Sequence, residues 1–512
     1  MPLNSDMKNS PQSLTERVVK GSGVVLLFTF LGSPIGYLIR VLYSNSLSIE
    51  MFGLFYAALA FFALLSTYLD FGLGISCSYF IPKFLKKQDF SSVATIFHYT
   101  QIAELLVTLV AALFLYLSAD WLAVKYFKSP SAVNLIYIFS IYLIANSIFT
   151  ALNALFVGFQ NEKYYASMHF FRLFFILVFS TFFWFFDFGN VLYFAATWVA
   201  GTILMVVVYY LLLARRYSFV LQKFHNDPSL LKRMISYGFP TLLTTSLFTF
   251  ISSTDTLFLT YFHGLKDVGV YNVVLPLATL SGLFLTPINA LILPLISHLM
   301  EGEESKIVYL VQSLLKLVPF IGIYFALFLS LFPGQIITTL FGAKWSGLAE
   351  TSLIIFSLGF IWSPLSNFLV IILSGMGKTN ERLKLSFLVA ILNIILCFLL
   401  IPRFGVIGAV IANSLVYMIS VVIFTKMIER FFQITYSYMF YVKLLLLVGV
   451  IFIFVKALGV NPNGLIQISI VGLLYTIPFL IFGFTQDVLD TKTRKLLMSR
   501  IFKGFVADPT QN

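Results

Sequence analysis

Phe52-Gly53-Leu54-Phe55-Tyr56 opens one long apolar run, and Val268-Gly269-Val270-Tyr271-Asn272 opens another 216 residues later. The same offset carries Asp187-Phe188-Gly189 onto Arg403-Phe404-Gly405. Between them, Gly158-Phe159-Gln160-Asn161-Glu162 answers to Gly375-Met376-Gly377-Lys378-Thr379 at an offset of 217. An internal repeat in a chain dense with apolar runs is how many secondary transporters are built, as two lobes with a cavity between them.

Composition fixes the solvent. Of 512 residues, 59% are hydrophobic and 11% charged, against about 25% charged in an ordinary soluble chain. That much Phe, Leu and Ile calls for lipid, and lipid calls for structures that satisfy their own backbone. The expected fold is therefore all-α and polytopic. The first 20 residues are polar and lack the charged start and cleavage site of a signal peptide, so the first span is expected to stay in the mature protein. The formal charge of +12 is read as membrane anchoring, with no nucleic-acid partner. Cys77 and Cys397 lie inside apolar runs and suggest no disulfide. The five histidines (His98, His169, His225, His263, His298) have no partners at ligand spacing, so no metal or cofactor is expected.

A span needs about 20 apolar residues. Candidates fall at 23–43, 51–79, 103–122, 133–156, 170–186, 191–213, 239–262, 270–296, 317–332, 348–373, 385–401, 406–428, 444–458 and 465–484, fourteen in all. An even number puts both termini on one side. Lys125, Lys128, Lys266, Lys344, Arg403 and Lys456 fall on one face of that topology. Arg40, Arg172, Lys316 and Lys443 lie in or beside spans, and the rest of the 33 Lys and Arg fall on the other face. By the positive-inside rule that richer face is cytoplasmic, with both termini. The expected organisation is a cytoplasmic tail (1–20), a six-helix lobe (21–214), a linker (215–236), a second six-helix lobe (237–430), an appended helix pair (431–486) and a cytoplasmic tail (487–512). The linker, with Arg215, Arg216, Lys232 and Arg233 among apolar residues, suits a helix lying on anionic lipid.

Several activities lack their parts. No phosphate-cradling Gly-rich loop ending in Lys-Ser/Thr is present, so ATP hydrolysis is not expected. No external loop is long enough for the acidic or basic cluster of a membrane-embedded sugar polymerase or ligase, and no repeated pore loop suggests a channel.

Charges inside spans cost about 2.5–3.5 kcal/mol each on insertion scales, so they are functional candidates. Arg40 and Asp255 sit at nearly matching positions in the two repeats, thirteen and fourteen residues before Gly53 and Gly269. A pseudo-two-fold axis could bring them together as an outer gate; snorkelling to the interface is the competing reading. Arg172 in span 5 suits a bidentate phosphate contact. Asp70, in Leu69-Asp70-Phe71-Gly72, is a candidate for a coupling cation or for a structural cap, with Glu104 a weaker one. Gly32-Ser33-Pro34-Ile35-Gly36 is a candidate hinge, because proline removes a backbone donor and Gly32 and Gly36 tolerate unusual dihedrals.

These residues carry a resemblance. Arg40 followed by Leu47-Ser48-Ile49-Glu50-Met51-Phe52-Gly53-Leu54-Phe55 resembles the start of polysaccharide flippases. Tyr237-Gly238-Phe239-Pro240, Asp255, the stretch from Val268 to Ala278, and Leu340-Phe341-Gly342 resemble their second half. The family is the polysaccharide transport, O-antigen flippase-like branch of the multidrug/oligosaccharidyl-lipid/polysaccharide exporters. The resemblance runs from about Lys20 to Met427, and its short motifs specify the superfamily better than the substrate.

The resemblance implies a non-enzymatic flippase in the inner (cytoplasmic) membrane. It would move a polyprenyl-(pyro)phosphate-linked oligosaccharide to the outer leaflet, with Arg40 and Arg172 as cavity cations. It implies membrane lipids and polysaccharide polymerases or glycosyltransferases as partners, and a monomer. A cation-coupled multidrug exporter and a lipid II flippase are the alternatives within the superfamily. The first usually has twelve spans and an acid in its first lobe, and the second a richer set of cavity arginines. The orientation is directly testable: green fluorescent protein fused after Asn512 should fluoresce, and alkaline phosphatase at the same place should be inactive. The reverse pair of results would invert the topology.

Overall fold

The computed structural model describes residues 14–221, 224–300, 302, 304–486 and 488. The expected tails lie outside them, apart from residues 14–20 and 488. Among the described residues all regular structure is helical. The first lobe comprises α1 (Leu14–Ser46), α2 (Ile49–Leu69), α3 (Leu73–Lys86), α4 (Phe90–Leu117), α5 (Ala119–Lys125), α6 (Ala132–Gly158), α7 (Glu162–Phe185) and α8 (Val191–Arg216). The second comprises α9 (Pro228–Phe262), α10 (Leu265–Ala278), α11 (Leu280–Leu299), α12 (Glu304–Leu331), α13 (Pro333–Phe341), α14 (Glu350–Phe360), α15 (Trp362–Gly375) and α16 (Thr379–Glu429). The appended pair is α17 (Tyr438–Ala457) and α18 (Gly464–Thr485), which packs on α12 and α13.

Helix starts follow local chemistry. Ser48, Asn161, Asn190 and Asp227 precede α2, α7, α8 and α9, and each side chain accepts a hydrogen bond from an otherwise unpartnered first-turn N–H. The repeat seen in sequence is a repeat of helices. α2 and α10 begin 216 residues apart, and α7 and α16 begin 217 apart.

Twelve helices among the described residues are long and apolar enough to cross a membrane, against fourteen expected spans. Expected spans 385–401 and 406–428 are the two halves of α16, which non-helical Gly405 (φ 54°) divides into two helices that fold back so that Asn393 meets Asn413. The helix holding 239–262, α9, is not among the twelve. Several expected spans are broken where periodicity shows nothing. The run 51–79 divides at Phe71 and Gly72, both with positive φ, and 270–296 divides at Thr279. The linker is also different from expectation. Ser218–Leu221 forms a short 3-10 turn packed on α4, and Lys232 and Arg233 already belong to α9.

The two lobes meet where their repeated motifs meet. α2 packs along α10, and Gly53 lies against the backbone of Leu265 and Gly269, so closely that a Cβ at Gly53 would overlap the Leu265 carbonyl oxygen. From the other side, a Cβ at Gly269 would stand 2.8 Å from the Ile49 carbonyl oxygen and 3.2 Å from Trp345. Small residues permit this approach, which matters because lipid offers helices no hydrophobic drive to associate. Around the crossing one apolar core draws on both lobes, including Tyr43, Phe52, Phe55, Tyr271 and Trp345. Farther from it the core divides. One cluster (Leu285 to Ile428) lies within the second lobe, and another (Leu73 to Met234) joins the first lobe to the start of α9.

Because the neighbour of Gly53 is backbone and cannot rotate away, Gly53→Ala should cost about 1–3 kcal/mol. The expected result is a thermal midpoint lowered by several degrees in detergent. Gly449→Ala, where an added Cβ meets nothing within 4 Å, should leave it unchanged.

Candidate functional site

Proline organises the centre of the molecule. Pro276 cannot donate to the carbonyl of Asn272 four residues earlier, so that oxygen has no intrahelical partner. Arg40 Nη1 donates to it from the other lobe at 3.1 Å. The guanidinium also lies over the Tyr56 ring, 4.5 Å from its centroid. The carbonyl of Pro276 itself, at the break between α10 and α11, accepts from Tyr37 Oη at 2.7 Å. Tyr37, Arg40, Tyr56 and Pro276 line a cavity of about 600 Å³ between the lobes. Its walls mix hydroxyls (Ser33, Tyr37, Ser252, Ser363) with aromatic faces (Trp198, Phe360).

Asp255 reaches the same cavity from α9 but forms no ion pair with Arg40. Its carboxylate is 2% exposed and accepts from Tyr271 Oη at 2.8 Å, Asn413 Nδ2 at 2.6 Å and Cys397 Sγ at 3.3 Å. Asn393 Nδ2 donates to Asn413 at 3.2 Å, and Asn393 Oδ1 is a buried acceptor with no hydrogen-bond partner. The repeat thus places Arg40 and Asp255 in one cavity, while local partners hold them apart.

Arg172 faces a second cavity of about 510 Å³, lined by Ser66, Asp70, Asn146, Thr150 and His169 of the first lobe and by Thr249 of α9. Its Nη1 donates to Asn146 Oδ1 at 3.0 Å, the guanidinium lies 4.3 Å from the Phe149 centroid, and Nε is buried without a partner. Asp70 Oδ1 accepts from Gly72 N at 2.6 Å, the bond of a cap at the α2–α3 break. Its Oδ2 and Glu104 Oε1 flank Gly74, at 3.1 and 3.7 Å from where a Cβ would be. Glu104 is 2% exposed, and its Oε1 has no hydrogen-bond partner. Gly32, Pro34 and Gly36 lie within α1, which is helical from Leu14 to Ser46; Ser33, Gly36 and Tyr37 face the inter-lobe cavity.

Arg40 thus bridges the lobes through Asn272 and not through Asp255, and further contacts between them come from residues that sequence reading left among the loops. Beside the α1–α2 turn, Lys344 Nζ donates to the Leu47 carbonyl, Asn45 Nδ2 to the Leu340 carbonyl at 3.0 Å and Ser44 Oγ to the Phe341 carbonyl at 3.5 Å. Trp345 packs on Phe52 with centroids 5.2 Å apart. Burial holds the Lys344 ammonium below the usual lysine range. Lys128 Nζ adds a bond to the Tyr261 carbonyl at 2.6 Å. Together these contacts tie the lobes at the end expected to face outward. The signal for Arg40's partner was present in sequence: a proline four residues after an asparagine at the start of the second repeat. Lys344 carried no such signal, because only the fold brings it to Leu47.

Residues 18–300 match the family model described as polysaccharide biosynthesis protein, and residues 240–399 match the MatE model. The uncharacterized membrane protein MJ1068 of Methanocaldococcus jannaschii is 26% identical over 510 residues, 96% of this chain and 100% of its own length. The capsular polysaccharide biosynthesis protein CapF of Staphylococcus aureus is 24% identical over 212 residues, 41% of this chain and 53% of that protein. Among solved structures, the lipid II flippase MurJ in an inward closed conformation has a TM-score of 0.74 at 16% identity, covering 91% of this chain and 99% of that one. An inward-facing multidrug resistance MATE family transporter has a TM-score of 0.64 at 17% identity, covering 80% and 98%.

If the bonds beside the α1–α2 turn hold the cavity shut, weakening them should open it. With Cys77 and Cys397 replaced and a cysteine placed at Ser252, Lys344→Met should speed labelling by an impermeant maleimide added outside. An unchanged labelling rate would show that Lys344 carries no closing role.

Proposed function

The chain belongs to the polysaccharide biosynthesis protein family of the multidrug/oligosaccharidyl-lipid/polysaccharide exporters, and we propose that it is an alternating-access flippase for a polyprenyl-(pyro)phosphate-linked oligosaccharide. Cargo passes from the cytoplasmic to the outer leaflet, with its lipid tail left in the bilayer. The observation that carries this reading is the inter-lobe cavity, where the Arg40 guanidinium is held by Tyr56 and by the Asn272 carbonyl, an acceptor that a phosphate can replace. A phosphate accepts two hydrogen bonds from the Arg40 fork where the Asn272 carbonyl accepts one. Hydroxyls and aromatic faces around it suit a sugar. Arg172, with an unpartnered Nε, is the proposed second phosphate contact.

Transport of a charged headgroup across lipid needs a bias. The proposed coupling residues are Asp255, beside the orphan acceptor of Asn393, and Asp70, beside the orphan oxygen of Glu104. A cation drawn to either carboxylate would favour one arrangement of the α9 or α2–α3 segment. The segment from Gly32 to Gly36, facing the cavity from α1, is the proposed hinge.

The test is movement of a fluorescent polyprenyl-pyrophosphate oligosaccharide between leaflets in proteoliposomes of the purified protein. Protein-dependent movement is expected, slowed at least about tenfold in Arg40→Ala and in Arg172→Ala, the loss of charge-assisted bonds to phosphate. No movement, together with ion-driven efflux of a small cationic dye, would replace this reading with that of a cation-coupled drug exporter.

A further inference from the structure

A third cavity, of about 570 Å³, lies inside the second lobe and contains one arginine, Arg382. Ser363, Ser366, Asn367, Ser386 and Ser420 line it with no carboxylate among its walls. By chain position Arg382 belongs with the cytoplasmic anchors. Its geometry is different from that of its neighbour Lys384, which is exposed. Arg382 Nη1 donates to Ser374 Oγ at 3.1 Å, while Nε is buried and has no hydrogen-bond partner. The residue sits in the first turn of α16, where the helix end adds positive potential.

We propose that this cavity is a phosphate station of the translocated substrate, with Arg382 as its cation and Asn367 and Ser386 as neutral donors. The proposal rests on the flippase reading for the identity of the cargo. Three observations carry it. A half-buried guanidinium whose Nε is enclosed without a partner, in a cavity lined by no carboxylate, is electrostatically incomplete, and an anion completes it. The cavity has room for that anion. It also shares Ser252, Thr279, Phe360, Ser363 and Tyr417 with the inter-lobe cavity of Arg40, so a headgroup leaving one can enter the other. Helix alternation puts Arg382, just after the α15–α16 turn, at the opposite end of the bundle from Arg40, near the α1–α2 turn. Arg382 is thus placed where cargo first meets the protein on the expected cytoplasmic side.

The experiment is calorimetric titration of the full chain in detergent with geranylgeranyl pyrophosphate, inorganic pyrophosphate and phosphatidylglycerol as separate ligands. Arg382→Gln should raise the Kd for the prenyl pyrophosphate at least about tenfold. Ser374→Ala removes the bond across the α15–α16 turn but keeps the guanidinium, and should leave that Kd nearly unchanged. Weakened inorganic pyrophosphate binding in Arg382→Gln would also support the station and show that it reads the phosphate alone. Equal binding by wild type and Arg382→Gln, or no binding by wild type, would overturn it. So would an equal loss in Ser374→Ala, which would make Arg382 a turn brace, or an effect confined to phosphatidylglycerol, which would make it a bulk-lipid contact. Should Arg382→Gln not elute as a monodisperse protein, the double variant Asn367→Ala with Ser386→Ala decides: weaker binding supports the station, and unchanged binding overturns it. Binding without leaflet movement in proteoliposomes would sink the flippase reading and leave the station standing.

Discussion

The close crossing of α2 and α10 is the constraint on which the rest depends. Lipid competes with every apolar contact, so two lobes in a membrane need shape rather than hydrophobicity to stay together. Gly53 and Gly269 supply that shape by letting backbone touch backbone. Everything above and below is then positioned. On one side the α1–α2 turn comes within hydrogen-bonding reach of residues 340–344. On the other, the apolar core separates into clusters based on different lobes. A second close approach, of Gly72 to Gly238, joins the α2–α3 break to α9, so the lobes touch through glycine at two levels.

Backbone satisfaction links this architecture to chemistry. Inside lipid, a carbonyl without a donor is costly. Pro276 creates such a carbonyl at Asn272, and the break after Ala278 leaves Pro276's own carbonyl for a side chain. Arg40 of the first lobe supplies a donor to the first, and Tyr37 of the first lobe shares the second with Thr279. The second lobe's irregular backbone and the first lobe's donors are therefore one feature divided between two repeats. The Asp255 carboxylate follows the opposite logic. Three donors from its own lobe surround it, and it has no need of Arg40.

The fold was largely legible because apolar length and a 216-residue repeat are long-range signals that single residues cannot hide. Helix breaks were less so. Phe71 takes φ 48°, an unfavourable value for a bulky residue that no periodicity announces. The cavity positions of Arg40 and Asp255 were legible through their matched places in the repeat, and Pro276 marked the carbonyl that Arg40 meets, but the partners of Asp255 were not legible, because they depend on how far each helix is turned about its axis. That Arg382, one of the cations of the richer face, lines a cavity was not legible for a related reason. Three residues into a helix, a side chain faces bulk water or a lobe interior according to a rotation that only packing decides. Glu104 was read as a weaker version of Asp70, yet the two carboxylates flank one glycine, α4 supplying one and the end of α2 the other.

Pro276 has one more consequence. It leaves the Asn272 oxygen without a backbone donor, and if Arg40 binds cargo as proposed, that oxygen is an internal stand-in for it in the empty carrier. On the proposed reading the carbonyl occupies the guanidinium in the way a phosphate oxygen would, so that arrival of a headgroup would exchange one acceptor for a stronger one instead of filling a vacant charge. Release reverses the exchange without ever stranding Arg40 in a dry environment. A carrier built this way need not bind its cargo tightly in order to load it, and can let go of it at the far leaflet for the same reason.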